Sequence, residues 1–310
     1  MYKRKKVIVT GGAGFIGSHL VERLVSQNYF VAIVDNLSTG KLKNIEHLLN
    51  NKNVHFIKAD ICDLSFLQDI FQGASYVFHQ AAIPSVSRSI ENPLVFHEVN
   101  TTGTLKVLLA ARDNGISKVV YASSSSVYGD TPSLPKSEDI LLHPQSPYAI
   151  TKLASEHYCR VFEQVYNLST VCLRYFNVYG IRQDPNSEYS AVIPKFINRV
   201  SHGKPPIIFG DGEQTRDFTF VEDVVNANIQ AAESEITGIF NIAKGESISL
   251  KQLAKMIISL IGVDVESIYA DARPGDIKHS LAAISHARLF NYKPKWSLEA
   301  GLRETITKWS

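Results

Sequence analysis

Cysteine is scarce in this 310-residue chain, and Cys62, Cys159 and Cys172 stand far apart. An odd count argues against a secreted disulfide framework, and without ligand spacing no metal site is expected. No apolar run approaches the roughly 20 residues of a membrane span, and the N-terminus lacks a signal-peptide pattern. Neither sign of charge dominates: 32 Lys and Arg against 30 Asp and Glu leave a formal +2, which gives no reason to expect nucleic acid or an anionic surface as partner. The basic residues Lys3 to Lys6 read as a solvated lead-in to a first strand. There is no internal repeat and no low-complexity tract. What remains is a soluble, unprocessed, cytoplasmic protein with a small-molecule partner. It is long enough for one large α/β domain with a smaller appendage, or for two ordinary domains.

The stretch with the clearest physical content is Val7 to Gly17, VIVTGGAGFIG. An apolar strand breaks into glycines and restarts as a helix with Leu20, Val21, Leu24 and Val25 on its buried face. Gly11 suits the tight turn, Gly14 the approach to a pyrophosphate, and Gly17 the packing of helix on strand. The helix N-terminus then points backbone N–H groups at an anion. A second strand, VAIVD, ends in Asp35, where an acidic side chain accepts from the adenosine ribose hydroxyls. A carboxylate there repels a 2′-phosphate, so NAD is expected rather than NADP.

Strand and helix alternate from here. After the polar loop NLSTGKLKN come VHFIKAD, ending at Asp60, a helix over 64–71, the strand YVFHQAA, and a helical pattern from Pro93 to Arg112 stopped by Asn114 and Gly115. KVVYAS leads into SSSVYGD, and Pro147 to Tyr166 is a long helix with Ser146 as its cap. Continuous apolar strands with crossover helices define α/β: a doubly wound parallel-sheet Rossmann domain with a smaller C-terminal α/β substrate domain. The expected division is 1–178, with a segment of about 207–237 returning to it, and 179–310 mainly for substrate. In the latter part Leu250, Leu253, Ile257, Leu260 and Ile261 mark one amphipathic helix.

Tyr148 and Lys152 lie four apart and so share a helix face, with the serine-rich Ser123–Ser126 before them. A tyrosine is a poor base at its ordinary pKa of about 10. A nearby ammonium and a positively charged nicotinamide would both favour the phenolate, and a serine hydroxyl would hold the substrate oxygen for proton transfer.

The motifs TGGAGFIG, DNLSTG, HQAA, SSSVYGD, SPYAITK, RYFNVYG and GDGEQTRDF, in this order over nearly the whole chain, resemble the extended short-chain dehydrogenase/reductase family, specifically its nucleotide-sugar 4-epimerases. The resemblance implies Ser124, Tyr148 and Lys152 as catalytic residues. For NAD it implies Gly11, Gly14, Phe15, Ile16, Gly17, Asp35, Asn36, Ser38 and Gly40, then Asp60, Ile61, Gln80, Ala81 and Ala82, and finally Tyr148, Lys152 and Tyr175. For a UDP-sugar it implies Asn177, Arg216 and Arg273 on the diphosphate, with Val192, Asp276 and Ser280 nearby. Ser124, Ser125, Ser126 and Tyr148 would meet the sugar, with Ser85 and Arg88 after HQAA as further candidates. Arginine suits the diphosphate because its planar fork offers several donors to phosphate oxygens.

The implied reaction is epimerisation at carbon 4 through a transient 4-keto sugar, in a homodimer whose helices at 93–112 and 147–166 pair into a four-helix bundle. Related dehydratases place an Asp-Glu pair where Ser125 and Ser126 stand, and two serines cannot supply the acid and base that elimination needs. Ser280 stands where glucose-restricted epimerases carry a tyrosine, which leaves room for an N-acetyl group. UDP-N-acetylglucosamine and its galacto epimer are therefore expected as substrates together with the UDP-glucose pair. Other readings are a UDP-glucuronate 4-epimerase, another NAD-dependent enzyme of nucleotide sugars, and a non-catalytic NAD sensor, for which Tyr148 and Lys152 would be superfluous. Ala283 replaces an aspartate usual in the family.

Overall fold

In the computed structural model, residues 4–184, 191–272 and 277–309 are described. The apolar runs form the strands of one parallel sheet, because the central ones are buried on both faces and can satisfy their backbone only against like neighbours. In chain order, β1 (Lys6–Thr10) leads to α1 (Phe15–Ser26), β2 (Phe30–Val34), β3 (Val54–Ile57), α2 (Leu64–Phe71) and β4 (Ala74–His79). Then follow α3 (Val86–Glu91), α4 (Pro93–Phe96), a π-helical segment His97–Thr102, α5 (Gly103–Asp113) and β5 (Lys118–Ser124). A 3₁₀ turn over Ser125–Tyr128 precedes α6 (Pro147–Tyr166) and β6 (Thr170–Tyr175).

The remaining elements are shorter: β7 (Val178–Tyr179), α7 (Val192–Ser201), β8 (Ile207–Phe209), β9 (Thr215–Asp217), β10 (Thr219–Phe220), α8 (Val221–Glu233), β11 (Gly238–Ile242), β12 (Ser247–Ser249), α9 (Leu250–Ile261), β13 (Ile268–Ala270) and α10 (Leu298–Thr307). The large sheet has the order β11-β6-β5-β4-β1-β2-β3, and every pairing in it is parallel. This is the doubly wound Rossmann order, with its switch point beside β1. The segment that returns to it is α8 with β11, the latter pairing β6 from Gly238↔Val171 to Ile242↔Tyr175. Three two-stranded pairs, β10 with β7, β12 with β9 and β13 with β8, build the smaller part.

Local chemistry explains the boundaries. Ser146 caps α6 by accepting from Ala149 N, Pro147 occupies the first turn, and Asn167 in the left-handed region ends the helix. Ser249 and Gln252 form a reciprocal capping box at the start of α9. Two boundaries depart from the sequence pattern. The strand expected to reach Asp60 stops at Ile57, and Asp60 turns the chain by accepting Cys62 N through Oδ1 at 2.8 Å. The run STVCLRYFNVYG splits into β6 and β7, with Asn177 at φ +36° between them. The helical pattern from Pro93 is one continuous run, but the π-helical segment interrupts its α-helical winding.

Candidate active site

The loop after β1 is built for close approach. Gly11 adopts φ +68°, and a Cβ on it would lie 2.6 Å from Ala81 N. A Cβ on Gly17 would fall 2.1 Å from Gly11 O, so its partner is the glycine turn itself rather than the strand expected from sequence. Helix α1 starts at Gly14 without a side-chain cap, which leaves its first-turn donors for a ligand. Gly11, Gly14, Phe15, Ile16 and Gly17 line one cleft along the carboxyl ends of the strands, together with Asp35, Asn36, Ser38, Ile61, Gln80, Ala81, Ala82, Tyr148, Lys152 and Tyr175. A cradle that a Cβ would fill, an uncapped helix N-terminus and a carboxylate at the end of β2 fit a dinucleotide.

Asp35 has a structural duty as well. Its Oδ2 accepts Ala13 N at 2.9 Å and its Oδ1 accepts Leu37 N at 2.8 Å. Burial pushes its carboxyl up, and these two bonds pull it down. A carboxylate has about four acceptor positions, so ribose hydroxyls can share it. A Cβ on Gly40 would press on both oxygens at 2.8 Å. Asn36 bonds Asp60 Oδ2 at 2.9 Å, which joins the ends of β2 and β3 around the same rim.

At the inner end of the cleft the strand alternation of β5 separates two serines. Ser123 turns to Glu156 in the interior, whereas Ser124 accepts Ser126 N at 3.2 Å and lies near enough to the Tyr148 hydroxyl to favour its ionised form. Lys152 Nζ donates to Ala122 O at 2.8 Å and lies 5.9 Å from the Tyr148 ring centroid. Burial drives the lysine down to about 8, opposed by the charge of Glu156. Burial also raises the Tyr148 phenol, and Ser124 only partly offsets this. The lowered tyrosine expected from sequence is therefore not a property of the protein alone, and the compensating positive charge has to come with the cofactor.

Several supporting residues carry no sequence signal. Asn100, in the π-helical segment, accepts Ile83 N at 2.8 Å and donates to Ile83 O at 3.1 Å and to Thr151 Oγ1 at 3.3 Å. It thereby fixes the backbone that carries Ala81 and Ala82 into the cleft. His79 sits between Thr10 (2.7 Å) and Thr104 (2.9 Å). Thr104 spends its own hydrogen on Asn100 O, so Nε2 of His79 carries the proton. Burial and the Lys152 charge hold this histidine neutral, at about 3. Asn228, from α8, accepts from Gln80 Nε2 at 2.9 Å and donates to the Tyr175 hydroxyl at 2.8 Å.

A second cavity lies in the smaller part. Asn177, Val192 and Arg216 line it beside Phe196, Phe209, Gln214 and Phe218, which sequence reasoning did not single out. Asn177 is tied to Asp217 O at 3.0 Å, and Arg216 Nη1 to Thr215 O at 2.9 Å. The Asp217 carboxyl, buried among the N–H groups of Lys244, Gly245 and Ala282, is pushed up by burial to about 7. Of the expected site residues, Gly40, Asp60, Ser85, Arg88, Ser124, Ser125, Ser126 and Ser280 line neither cavity. Ser85, at φ +108°, caps α3 by accepting Arg88 N, and Arg88 is exposed. Ser280 is buried beside Thr215, to whose carbonyl its N–H donates at 3.1 Å. Arg273 and Asp276 lie outside the described residues. Among the described residues no group of three or more His, Cys, Asp or Glu could hold a metal ion, and no helix is long and apolar enough to cross a membrane.

A Rossmann sheet with this glycine cradle and this Ser-Tyr-Lys cluster defines an extended short-chain dehydrogenase/reductase. More narrowly, the chain belongs to the NAD-dependent epimerase/dehydratase family, which residues 7–243 match. It is 40% identical over 302 residues to a putative UDP-glucose 4-epimerase of Methanocaldococcus jannaschii, covering 97% of each chain. Among solved structures, a UDP-N-acetylglucosamine 4-epimerase from Methanobrevibacter ruminantium M1, in complex with UDP-N-acetylmuramic acid, is 45% identical at a TM-score of 0.95, over 99% of this chain and 98% of that one. The Thermus thermophilus UDP-glucose 4-epimerase in complex with NAD is 38% identical at a TM-score of 0.89, over 98% of both chains.

Proposed function

We propose that the protein is an NAD-dependent 4-epimerase of UDP-sugars that accepts the N-acetylglucosamine and galactosamine pair as well as glucose and galactose. The observation that carries this reading is the pairing of Tyr148 with Lys152 at the inner end of the dinucleotide cleft, with Ser124 at the end of β5 and no carboxylate at Ser125 or Ser126. Bound NAD supplies reversible hydride transfer at carbon 4. The chain's residues handle the proton and the geometry. Ser124 holds the 4-oxygen, Tyr148 takes its proton and later returns it, and the Lys152 ammonium favours the phenolate. With serines at 125 and 126, no side chain there can remove water from carbons 5 and 6, so a 4-keto sugar has only the return path.

Asn177 and Arg216 hold the diphosphate, with Arg273 and Asp276 assigned to the same end from the motif. The aromatic wall of Phe196, Phe209 and Phe218 takes the nucleoside. Ser280, which lines neither cavity but bonds Thr215 O beside Arg216, is assigned to the sugar end from the motif. A second copy of the chain covers the apolar surface of α3, α4 and α6, where Leu94 is 83% exposed, Ile90 64% and Val165 61%. The unpaired thiols of Cys62, Cys159 and Cys172 suit a reducing cytoplasm. Incubating NAD-loaded protein with UDP-glucose, UDP-N-acetylglucosamine and UDP-glucuronate, and separating the 4-epimers, tests the reading. Interconversion of the first two supports it; turnover of UDP-glucuronate alone, or of none, overturns it.

A further inference from the structure

Glu156 lies one helical turn beyond Lys152, as Lys152 lies one turn beyond Tyr148, so the three side chains form a single file on α6. Its carboxylate is 1% exposed and saturated with donors. Ser123 donates to Oε1, and Arg174, itself 2% exposed, grips both oxygens, from Nε at 2.9 Å and Nη2 at 2.8 Å. Arg174 continues to the Tyr128 hydroxyl at 2.9 Å, and Tyr128 to Asn241 at 2.7 Å. Each partner is a sequence neighbour of the site or closes it: Ser123 precedes Ser124, Arg174 precedes Tyr175, and Tyr128 ends the turn that starts at Ser125.

The charges facing the Tyr148–Lys152 pair can be read off element by element. From β4 comes His79, which is neutral; from β5, Tyr121, with Lys152 Nζ 5.0 Å over its ring; from α6, Glu156; Arg174 of β6 reaches Glu156 rather than the pair, and the thiols of Cys159 and Cys172 neighbour Tyr121. Glu138 is the other carboxylate of the network and sits on the far side of Tyr128, receiving Asn241 N at 2.8 Å. Glu156 is therefore the one fully buried carboxylate on the Lys152 side among the described residues, and Arg174 and Ser123 hold it in place. A buried arginine could be satisfied by carbonyls and hydroxyls alone. A carboxylate in file with the lysine does something more.

We propose that Glu156 is a positioning residue for epimerisation: held by Arg174 and Ser123, it keeps the buried Lys152 protonated and sets the pH window in which the Tyr148–Lys152 pair works. The proposal rests on the assignment of Tyr148 and Lys152 above. Removing this anion favours loss of a proton from every nearby group, so the acid and alkaline limbs must both move to lower pH. A framework residue, by contrast, would change the height of the profile and leave its limbs in place.

The test is kcat/KM against pH for the NAD-loaded parent and for Glu156→Asp, Glu156→Gln and the double variant Glu156→Gln/Arg174→Met. The double variant leaves no uncompensated buried charge. The parent should lose activity on the alkaline side near about 8, where Lys152 gives up its proton. Glu156→Asp should keep both limbs. Glu156→Gln should shift both toward acid by on the order of one pH unit, and the double variant in the same direction by less, because the more distant Arg174 cation leaves with the anion. Limbs coincident with the parent's in either neutral variant overturn the proposal. So does failure of both to accumulate as NAD-loaded protein when Glu156→Asp does, since the pair would then serve folding alone. Activity surviving in Tyr148→Phe would instead mean that the assignment of the base was wrong, whatever the pH profiles do.

Discussion

The two cavities are made of different material. The dinucleotide cleft is walled by backbone: Gly11 and Gly17 approach other main-chain atoms so closely that no Cβ fits, and the Asp35 carboxylate binds the loop of its own cradle. The second cavity is walled by side chains, among them Val192 and Phe196 of α7, Phe209 of β8, and Gln214 and Phe218 in the connections either side of β9. Backbone geometry cannot be changed one atom at a time, whereas a side-chain wall can be enlarged or filled by single substitutions. One fold can therefore keep its cofactor while its substrate changes.

The sharpest way to break this contrast is at the point where the cavities must cooperate. Tyr148→Phe should retain the fold and the cofactor, because the ring still packs edge-on to Phe96 at 6.5 Å, yet lose on the order of 100- to 10,000-fold in epimerisation. Turnover within about threefold of the parent would remove Tyr148 as the base. A matched pair of variants then addresses the walls themselves. Gly17→Ala should yield protein without bound NAD and less stable by typically about 1–3 kcal/mol, while Val192→Ala should keep NAD and raise only the KM for the sugar nucleotide. Cofactor released from the two purified proteins decides the matter, and equal NAD content would dissolve the distinction.

Smaller effects sharpen it. Ser280→Tyr should suppress acetylated substrates and spare UDP-glucose, changing the ratio of kcat/KM by roughly 5- to 150-fold, equivalent to about 1–3 kcal/mol of overpacking. Equal loss on both sugars would make Ser280 a residue of the fold, which its burial beside Thr215 also permits. Asp35→Ala should narrow the preference for NAD over NADP. It should also lower stability by about 1–3 kcal/mol, because Ala13 N and Leu37 N lose their acceptor. Unchanged melting together with unchanged cofactor preference would contradict both roles.

What sequence reading captured were features in which neighbours along the chain remain neighbours in space. The glycine turn, Asp35 at a strand end, and Tyr148 with Lys152 on one helix face are all of this kind, as is the Ser146 cap of α6. The doubly wound order followed because buried parallel strands leave continuous apolar runs. Asn100 was illegible because a helical period assumes 3.6 residues per turn and the π-helical segment departs from it. Asn228 reaches Gln80 only because α8 comes back to the sheet after the chain has built part of the second cavity. Phe196, Phe209 and Gln214 come from separate short elements whose meeting depends on tertiary packing, and no spacing rule relates them. The environment of Tyr148 was misjudged for another reason: burial raises its phenol, and burial is not visible in a four-residue interval.

The π-helical segment also makes chain length, rather than residue identity, the sensitive quantity between Pro93 and Asp113. Such a segment amounts to one residue more than α-helical winding accommodates. Deleting a single residue from His97–Thr102 would let the helix close regularly with its two ends still in phase, whereas deleting one from the regular α-helical turn between Gly103 and Lys106 would turn everything beyond it by about 100° relative to everything before it. Phe96, packed on Tyr148, and Val107 and Leu108, packed in the core under the sheet, would then no longer face their partners together. The π-helical winding acts as a phase correction for the extra residue, which lets one continuous rod serve the hydrophobic core at one end and the reacting groups at the other.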